Sequence, residues 1–413
     1  MRKVFGFALL LGTLGCGAGT SSTPPIPTGK PEFLYALSSG QIQSLSVNTT
    51  TGAVSQLAGI GSGSTPGPAN PGVIVADPLG RFIYVSDVEA GRIEVFSIDQ
   101  GSGRLTQVAN SPFPTLGQQP YGMAADSTGN FLFVANSNSD TISSFTVGSS
   151  GALTPVAGSP FPVFATPHRL TLDSTNTLLF ASDSSSPQVS ALTVNSSGAL
   201  SRVGGSPFRA LGVANWLTVN PSSEFLFASS SDALTAGGAV EVFSVGATGS
   251  LFQAPASLFP AGKNPQGLVL TADGAFLYVA NQQDDTTSAF SVGATGTLTQ
   301  ISGSPFPGGP SPGVLRIDSA GRFLYIANSS AAKISVWSIN PTTGLLTTVP
   351  GSPFGITAAA QDLVLVLIQQ ASASAKLISP PAQQTVALNP YSRTTGSPDG
   401  SGKVGDAPMI GRL

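Results

Sequence analysis

Between residues 31 and 369 the chain alternates short apolar runs with turns rich in Gly, Asp, Asn, Ser and Pro, and the alternation itself repeats. An aromatic and Leu-rich run recurs as Phe33-Leu34-Tyr35, Phe82-Ile83-Tyr84, Phe131-Leu132-Phe133, Leu178-Leu179-Phe180, Phe225-Leu226-Phe227, Phe276-Leu277-Tyr278 and Phe323-Leu324-Tyr325. The third residues of these runs lie 49, 49, 47, 47, 51 and 47 positions apart. A second marker, Ser-Pro-Phe, begins at 111, 159, 206, 304 and 352, and Ser257-Leu258-Phe259 fills the gap in that series. Each period holds four β-type runs, which in the second unit are Gly72–Ala76, Phe82–Ser86, Arg92–Ile98 and Leu105–Val108. Ile93 to Ile98 alternates in and out, whereas the first run is nearly all apolar, as expected of an innermost strand covered on both faces. Asp77-Pro78-Leu79-Gly80 and Asp99 to Gly103 carry turn chemistry, so their Asp and Gly residues read as structural. Two markers sharing a period of roughly 40–50 residues predict propeller blades.

The units close on themselves. The first begins at its second strand, Glu32–Leu37, and lacks an inner one. An extra apolar run, Asp362 to Ile368, follows the last unit and can supply that strand. The expected fold is therefore all-β: a seven-bladed β-propeller of four-stranded blades over 31–369, closed by the C-terminal strand completing the first blade. Closure removes sheet edges that an open array would expose. Residues 370–413, rich in Ser, Pro, Gly, Gln and Ala, break the pattern and read as a disordered tail.

Composition narrows the function. Only 9% of residues are charged, against roughly 25% in an ordinary soluble domain, so Ser, Thr, Gly, Asn and Gln must cover the surface. A net charge of −3 and a pI near 5.1 offer no basic stripe, which argues against nucleic acid. One Cys and one His leave no disulfide framework and no zinc cluster, and no metal or other cofactor is expected. Met1-Arg2-Lys3, an apolar run from Val4 to Leu14 and Gly15 form a secretory signal over 1–15 that is too short to span a bilayer. Cys16 stands where a lipoprotein cut would leave it first, and Thr13 to Cys16 resembles the bacterial lipobox. Residues 16–30 then form a flexible tether. The expected location is the bacterial cell envelope, membrane-anchored through a lipid on Cys16 and facing the periplasm or sitting in the outer membrane.

The strand endings Tyr84-Val85-Ser86-Asp87, Phe133-Val134-Ala135-Asn136, Tyr278-Val279-Ala280-Asn281 and Tyr325-Ile326-Ala327-Asn328 resemble the YVTN-type repeat. With the period, they make residues 31–369 similar to the lactonase family of seven-bladed propellers, which includes 6-phosphogluconolactonase. That resemblance implies a lactone hydrolase, a carboxylic ester hydrolase acting on a sugar lactone. Pro167-His168 matches the family's His after the third inner-strand Pro, so the resemblance makes His168 the candidate base. The family's charged partners, an Arg, a Glu and a second Arg, correspond by register to Asn215, Ser231 and Gln282.

Counting back from the inner-strand turns gives a ring of Gly72, Tyr121, His168, Asn215, Gln266, Gly313 and Gln361 around one mouth of the central channel. Tyr121, His168, Asn215, Gln266 and Gln361 make this mouth polar and mostly uncharged, suited to hydrogen-bonding a sugar, sugar lactone or glycan. No cation is expected there to hold a phosphate or carboxylate. The residues thus favour a binding or interaction module, with a small polar ligand at the mouth or a protein partner on a propeller face, whereas the resemblance favours hydrolysis. If Cys16 carries the lipid, Cys16→Ser moves the protein from membranes to a soluble exported fraction on cell fractionation. A mature N-terminus that mass spectrometry finds unmodified and starting elsewhere contradicts the anchor.

Overall fold

The computed structural model describes residues 31–57, 64–163, 166–231 and 237–368. The signal segment, Cys16, the tether and the 370–413 tail lie outside the described residues. Every regular element within them is a strand, and the strands form seven antiparallel sheets. Six blades run inner to outer in chain order, as in Pro71–Ala76, Phe82–Asp87, Arg92–Ile98 and Leu105–Gln107. The other, blade 1, takes its inner strand from Asp362–Leu367, paired antiparallel with Glu32–Ser38 from Glu32↔Leu367 to Leu37↔Asp362. The expected seven-bladed closure is present.

Each repeat marker has a steric or hydrogen-bonding cause. The aromatic run is the second strand, flanked by strands on both sides and by blades on both faces, so Leu34, Tyr35, Phe133, Phe227 and Tyr325 are fully buried. Its first residue packs on a glycine in the outer turn of the next blade. A Cβ on Gly103 would lie 2.5 Å from Phe33 Cδ1, and Gly103 has φ +68°. Only glycine accepts both conditions at little cost. The contact recurs at every junction, with Leu178 in the Phe place against Gly249 and Phe323 against Gly52 across the closure. Tyr35 and Tyr278 add a second tie, donating from Oη to the Gly103 and Gly344 carbonyls at 2.9 and 2.8 Å.

Ser-Pro-Phe marks the place where the outer edge splits. The third strand pairs first with the fourth and then with the Phe-containing segment, as in Phe96↔Gln107 and Ile93↔Phe113, which strands the Val95 N–H between them. Ser111 Oγ accepts it at 2.9 Å, and Ser159, Ser206, Ser304 and Ser352 serve Ser144, Ala191, Ala289 and Val336 in the same way. In blade 5 one bulged strand, Leu251–Pro260, spans both pairings, and Ser257-Leu258-Phe259 stands in the marker's place. The Asn ending the YVTN-like strand is buried as well: Asn136 and Asn281 donate to Ser143 and Ser288 hydroxyls at 2.8 and 2.9 Å. Turn residues between the first two strands are structural, since Asp126 Oδ1 accepts the N–H groups of Asn130 and Phe131.

Gly103→Ala and Gly40→Ala separate the contact from the backbone cost. Gly40 has φ +77° but nothing within 4 Å of an added Cβ. Denaturant melts should show Gly40→Ala costing about 1 kcal/mol, the strain of a left-handed Ala. Gly103→Ala should cost about 1–3 kcal/mol more, because the Phe33 ring must move. Equal losses would show that the ring contact does not hold the blades.

Candidate functional site

Gly72, Tyr121, His168, Gln266 and Gly313 are the second residues of their inner strands, Asn215 is the third of Val213–Val219 and Gln361 directly precedes Asp362–Leu367, and the structure sorts them into separate groups. Tyr121 and His168, on neighbouring blades, have ring centroids 5.1 Å apart with a 46° tilt. Burial, reinforced by the positive charge of Arg169, pushes His168 down from 6.5 to about 4, so the imidazole is neutral at neutral pH. Tyr121 also borders a cavity of about 530 Å³ lined by Asn70, Glu89, Gln118, Gln119 and Asn138. Gly72 contributes no side chain because there is no room for one: a Cβ would lie 2.6 Å from Ser86 Oγ and 2.8 Å from the Pro120 carbonyl.

Asn215 and Gln266 join a separate amide network. Asn215 Nδ2 donates to Ser231 Oγ at 3.0 Å and to the Pro265 carbonyl at 2.7 Å. Asn264 Oδ1 accepts from Ser231 Oγ at 3.0 Å and from Gln266 Nε2 at 2.9 Å, while its Nδ2 donates to Gln282 Oε1 at 2.9 Å. Asn215, Ser231 and Gln282, the three places where the resemblance implies charged partners, are therefore wired together through a neutral amide. Gln361 stands apart, exposed and donating to Ser39 Oγ at 3.2 Å.

Deeper in the channel lies a group that residue counting missed. The Trp216 indole extends from the inner strand of blade 5 (Val213–Val219), with the Arg169 guanidinium 4.4 Å and the Arg316 guanidinium 5.4 Å from its ring centre. Arg316 belongs to blade 7 and donates to Asp362 Oδ1 at 3.0 Å, while Asp362 Oδ2 accepts the Ile74 N–H of blade 2 at 3.2 Å. Blades 5 and 7 are not neighbours, so the Trp216–Arg316 contact runs across the channel. Arg169 Nε and Nη1 are buried without a hydrogen-bond partner. The channel thus holds two cations where sequence counting expected none, one layer or more below the mouth. The cause is local: register shifts at Pro167/Leu170 and at Ala214/Trp216 set two successive residues of those strands against the channel. An Arg and a Trp interrupting otherwise small or apolar inner strands were the available signal.

A family described as "Lactonase, 7-bladed beta-propeller" matches residues 28–165 and 252–355, more than half of the chain. The chain belongs to the lactonase family. The matched segments leave out 166–251, the stretch that carries His168, Arg169, Asn215, Trp216 and Ser231. Among curated proteins, a 6-phosphogluconolactonase of Pectobacterium carotovorum is 35% identical over 81 residues, which are 19% of this chain and 24% of that protein. A second, from Pectobacterium atrosepticum, is 36% identical over the same length, so the chain spans about a quarter of these relatives. Among solved structures, the periplasmic gluconolactonase of Pseudomonas aeruginosa shares the fold with a TM-score of 0.68, at 22% identity over 82% of this chain and all of that one. A Lactobacillus plantarum protein matches at a TM-score of 0.68, with 20% identity over 82% of this chain and 99% of its own.

His168 gives this family member an acid-side liability. Unfolded, its imidazole takes a proton below about 6.5, whereas the folded site resists until about 4. The unfolded state therefore binds the extra proton in that window, and stability falls as pH drops from 6.5 towards 4, by about 3 kcal/mol in all. Melting curves across this window should fall less steeply for His168→Gln than for wild type. Parallel curves would contradict the burial of a neutral imidazole.

Proposed function

We propose that this lactonase-family propeller is an exported, lipid-anchored binding module that takes a small polar, sugar-like ligand at the mouth bounded by Tyr121, His168, Asn215 and Gln266. The observation that carries the reading is the neutral network at Asn215, Ser231 and Gln282. Opening a lactone requires a base for water and groups that hold the developing oxyanion. Here the amides already satisfy one another, and His168, held near 4, is a weak base. The side cavity of about 530 Å³ beside Tyr121 is lined by the amides of Asn70, Gln118, Gln119 and Asn138 and by the Glu89 carboxylate, donors and acceptors that suit a polyol, whose own hydroxyls both donate and accept. Export rests on the signal-like N-terminus, and the periplasmic fold neighbour is consistent with it.

A second reading is hydrolysis of a neutral sugar lactone. It is favoured by family membership and by an unprotonated His168 beside the Tyr121 ring, with Tyr121, Asn215 and Gln266 orienting the substrate. Initial rates on 6-phosphogluconolactone and D-glucono-1,5-lactone, corrected for spontaneous hydrolysis, separate the two readings. Each missing charged contact weakens recognition of a phosphate ester by about 1.5–3 kcal/mol, so two missing cations at the mouth cost a factor of about a hundred or more. The binding reading predicts no enzyme-dependent rate on either lactone, together with a melting shift from sugars that Tyr121→Ala abolishes. Rapid hydrolysis of the phosphorylated lactone, lost in His168→Ala, would overturn it.

A further inference from the structure

We propose that the ligand of this propeller is an acid sugar, a uronate or aldonate, whose carboxylate is held by Arg169 beneath the polar mouth. The inference rests on the binding reading above and specifies its ligand. Three observations lead to it.

The first is charge balance in the channel. Arg316 is neutralised by Asp362 at 3.0 Å, whereas Arg169 forms no ion pair among the described residues. Its Nε and Nη1 are withdrawn from solvent and make no hydrogen bond, yet the residue as a whole keeps partial exposure. A buried guanidinium with unused donors is unfavourable unless an anion supplies the acceptors. Trp216 covers the guanidinium at 4.4 Å, which offsets part of that cost but offers no acceptor in the guanidinium plane.

The second is position. Arg169 directly follows His168 on the inner strand of blade 4, and Trp216, which covers its guanidinium at 4.4 Å, directly follows Asn215 on that of blade 5. A ligand seated against Tyr121, His168 and the Asn215–Gln266 network would bring a substituent onto Arg169.

The third is the kind of anion. Among the described residues around Trp216, two guanidiniums, Arg169 and Arg316, face one carboxylate, Asp362, which leaves one positive charge to balance. A planar monoanion matches a guanidinium whose face is covered by Trp216 and whose buried Nε and Nη1 both lack an acceptor, whereas a phosphate dianion brings more charge than the single cation balances. The neutral network of Asn215, Ser231, Asn264 and Gln266 above and one cation below together fit a polyol that ends in a carboxylate.

Titration calorimetry on the full chain at pH 7 and low ionic strength tests this with D-glucuronate, D-gluconate, D-glucose and the methyl ester of D-glucuronate. The ester keeps the shape of the uronate and removes its charge. Both carboxylates should bind at least tenfold tighter than the ester and glucose, and added salt should narrow that gap. Arg169→Gln should abolish the preference for the carboxylates over the ester, and Arg169→Lys should restore part of it. Because Arg169→Gln removes an uncompensated buried charge, it should melt no lower than wild type, whereas loss of a merely structural Arg would lower the melting temperature. Equal binding of uronate and ester would overturn the carboxylate assignment and leave the binding reading intact. A preference that survives Arg169→Gln would overturn it equally. No heat with any of the four sugars would sink both.

Discussion

Seven twisted sheets close into a ring only if each presents to the next a flank of the same shape, and here that flank is an aromatic ring laid on a glycine. Phe33 on Gly103 and Phe323 on Gly52 are the same contact, one inside the chain and the other across its closure. Because the glycine sits in a turn with φ near +70° and has no space for a Cβ, the two residues set the distance and tilt between blades together. Everything nearer the axis follows from that repeat, including pairing of Asp362–Leu367 with Glu32–Ser38 and convergence of seven inner strands on one channel.

Convergence creates the site and limits it. The start of an inner strand meets the end of the second strand of its own blade and the entry of the next blade, so Asn215 and Ser231 of blade 5 join Asn264 and Gln282 of blade 6 in one network. The same crowding leaves Gly72 without a side chain and places His168 out of water, with a weakened basicity. Below this neutral layer, Trp216 bridges Arg169 and Arg316, and Asp362 ties blades 1, 2 and 7. The family's scaffold is intact, whereas the Asn215–Ser231–Asn264–Gln266 network is uncharged and the side chains beneath it include two guanidiniums and one carboxylate. That arrangement suits holding a hydroxylated anion better than opening a lactone.

The blades were legible in the sequence because each marker answers a constraint that recurs at every unit. Phe must meet glycine, the Ser of Ser-Pro-Phe must accept an N–H stranded where the sheet edge splits, and Asn136 or Asn281 must satisfy a buried hydroxyl. The channel carries no such recurrence, since each blade contributes a different residue. Counting from the turns found Tyr121 and His168, which do meet, and Gln361, whose side chain bonds to Ser39 of its own blade. It passed over Asn264, which precedes the inner strand, and Arg169 and Trp216, which bulges turn into the channel. Alternation alone predicts faces only where the ladder is regular.

A ligand seated at the mouth with its carboxylate on Arg169 would lie beside Trp216, which covers that guanidinium at 4.4 Å. Trp216 and Trp337 are the two tryptophans of the chain, and Trp337 packs beside Phe306 with ring centres 6.3 Å apart, in the third strand of blade 7. In a Trp337→Phe variant, emission therefore comes from Trp216 alone. Titrating that variant with D-glucuronate and D-glucose should change the emission saturably, with the same midpoint as the shift in melting temperature. A sugar that raises the melting temperature while Trp216 emission stays constant through saturation would contradict the account.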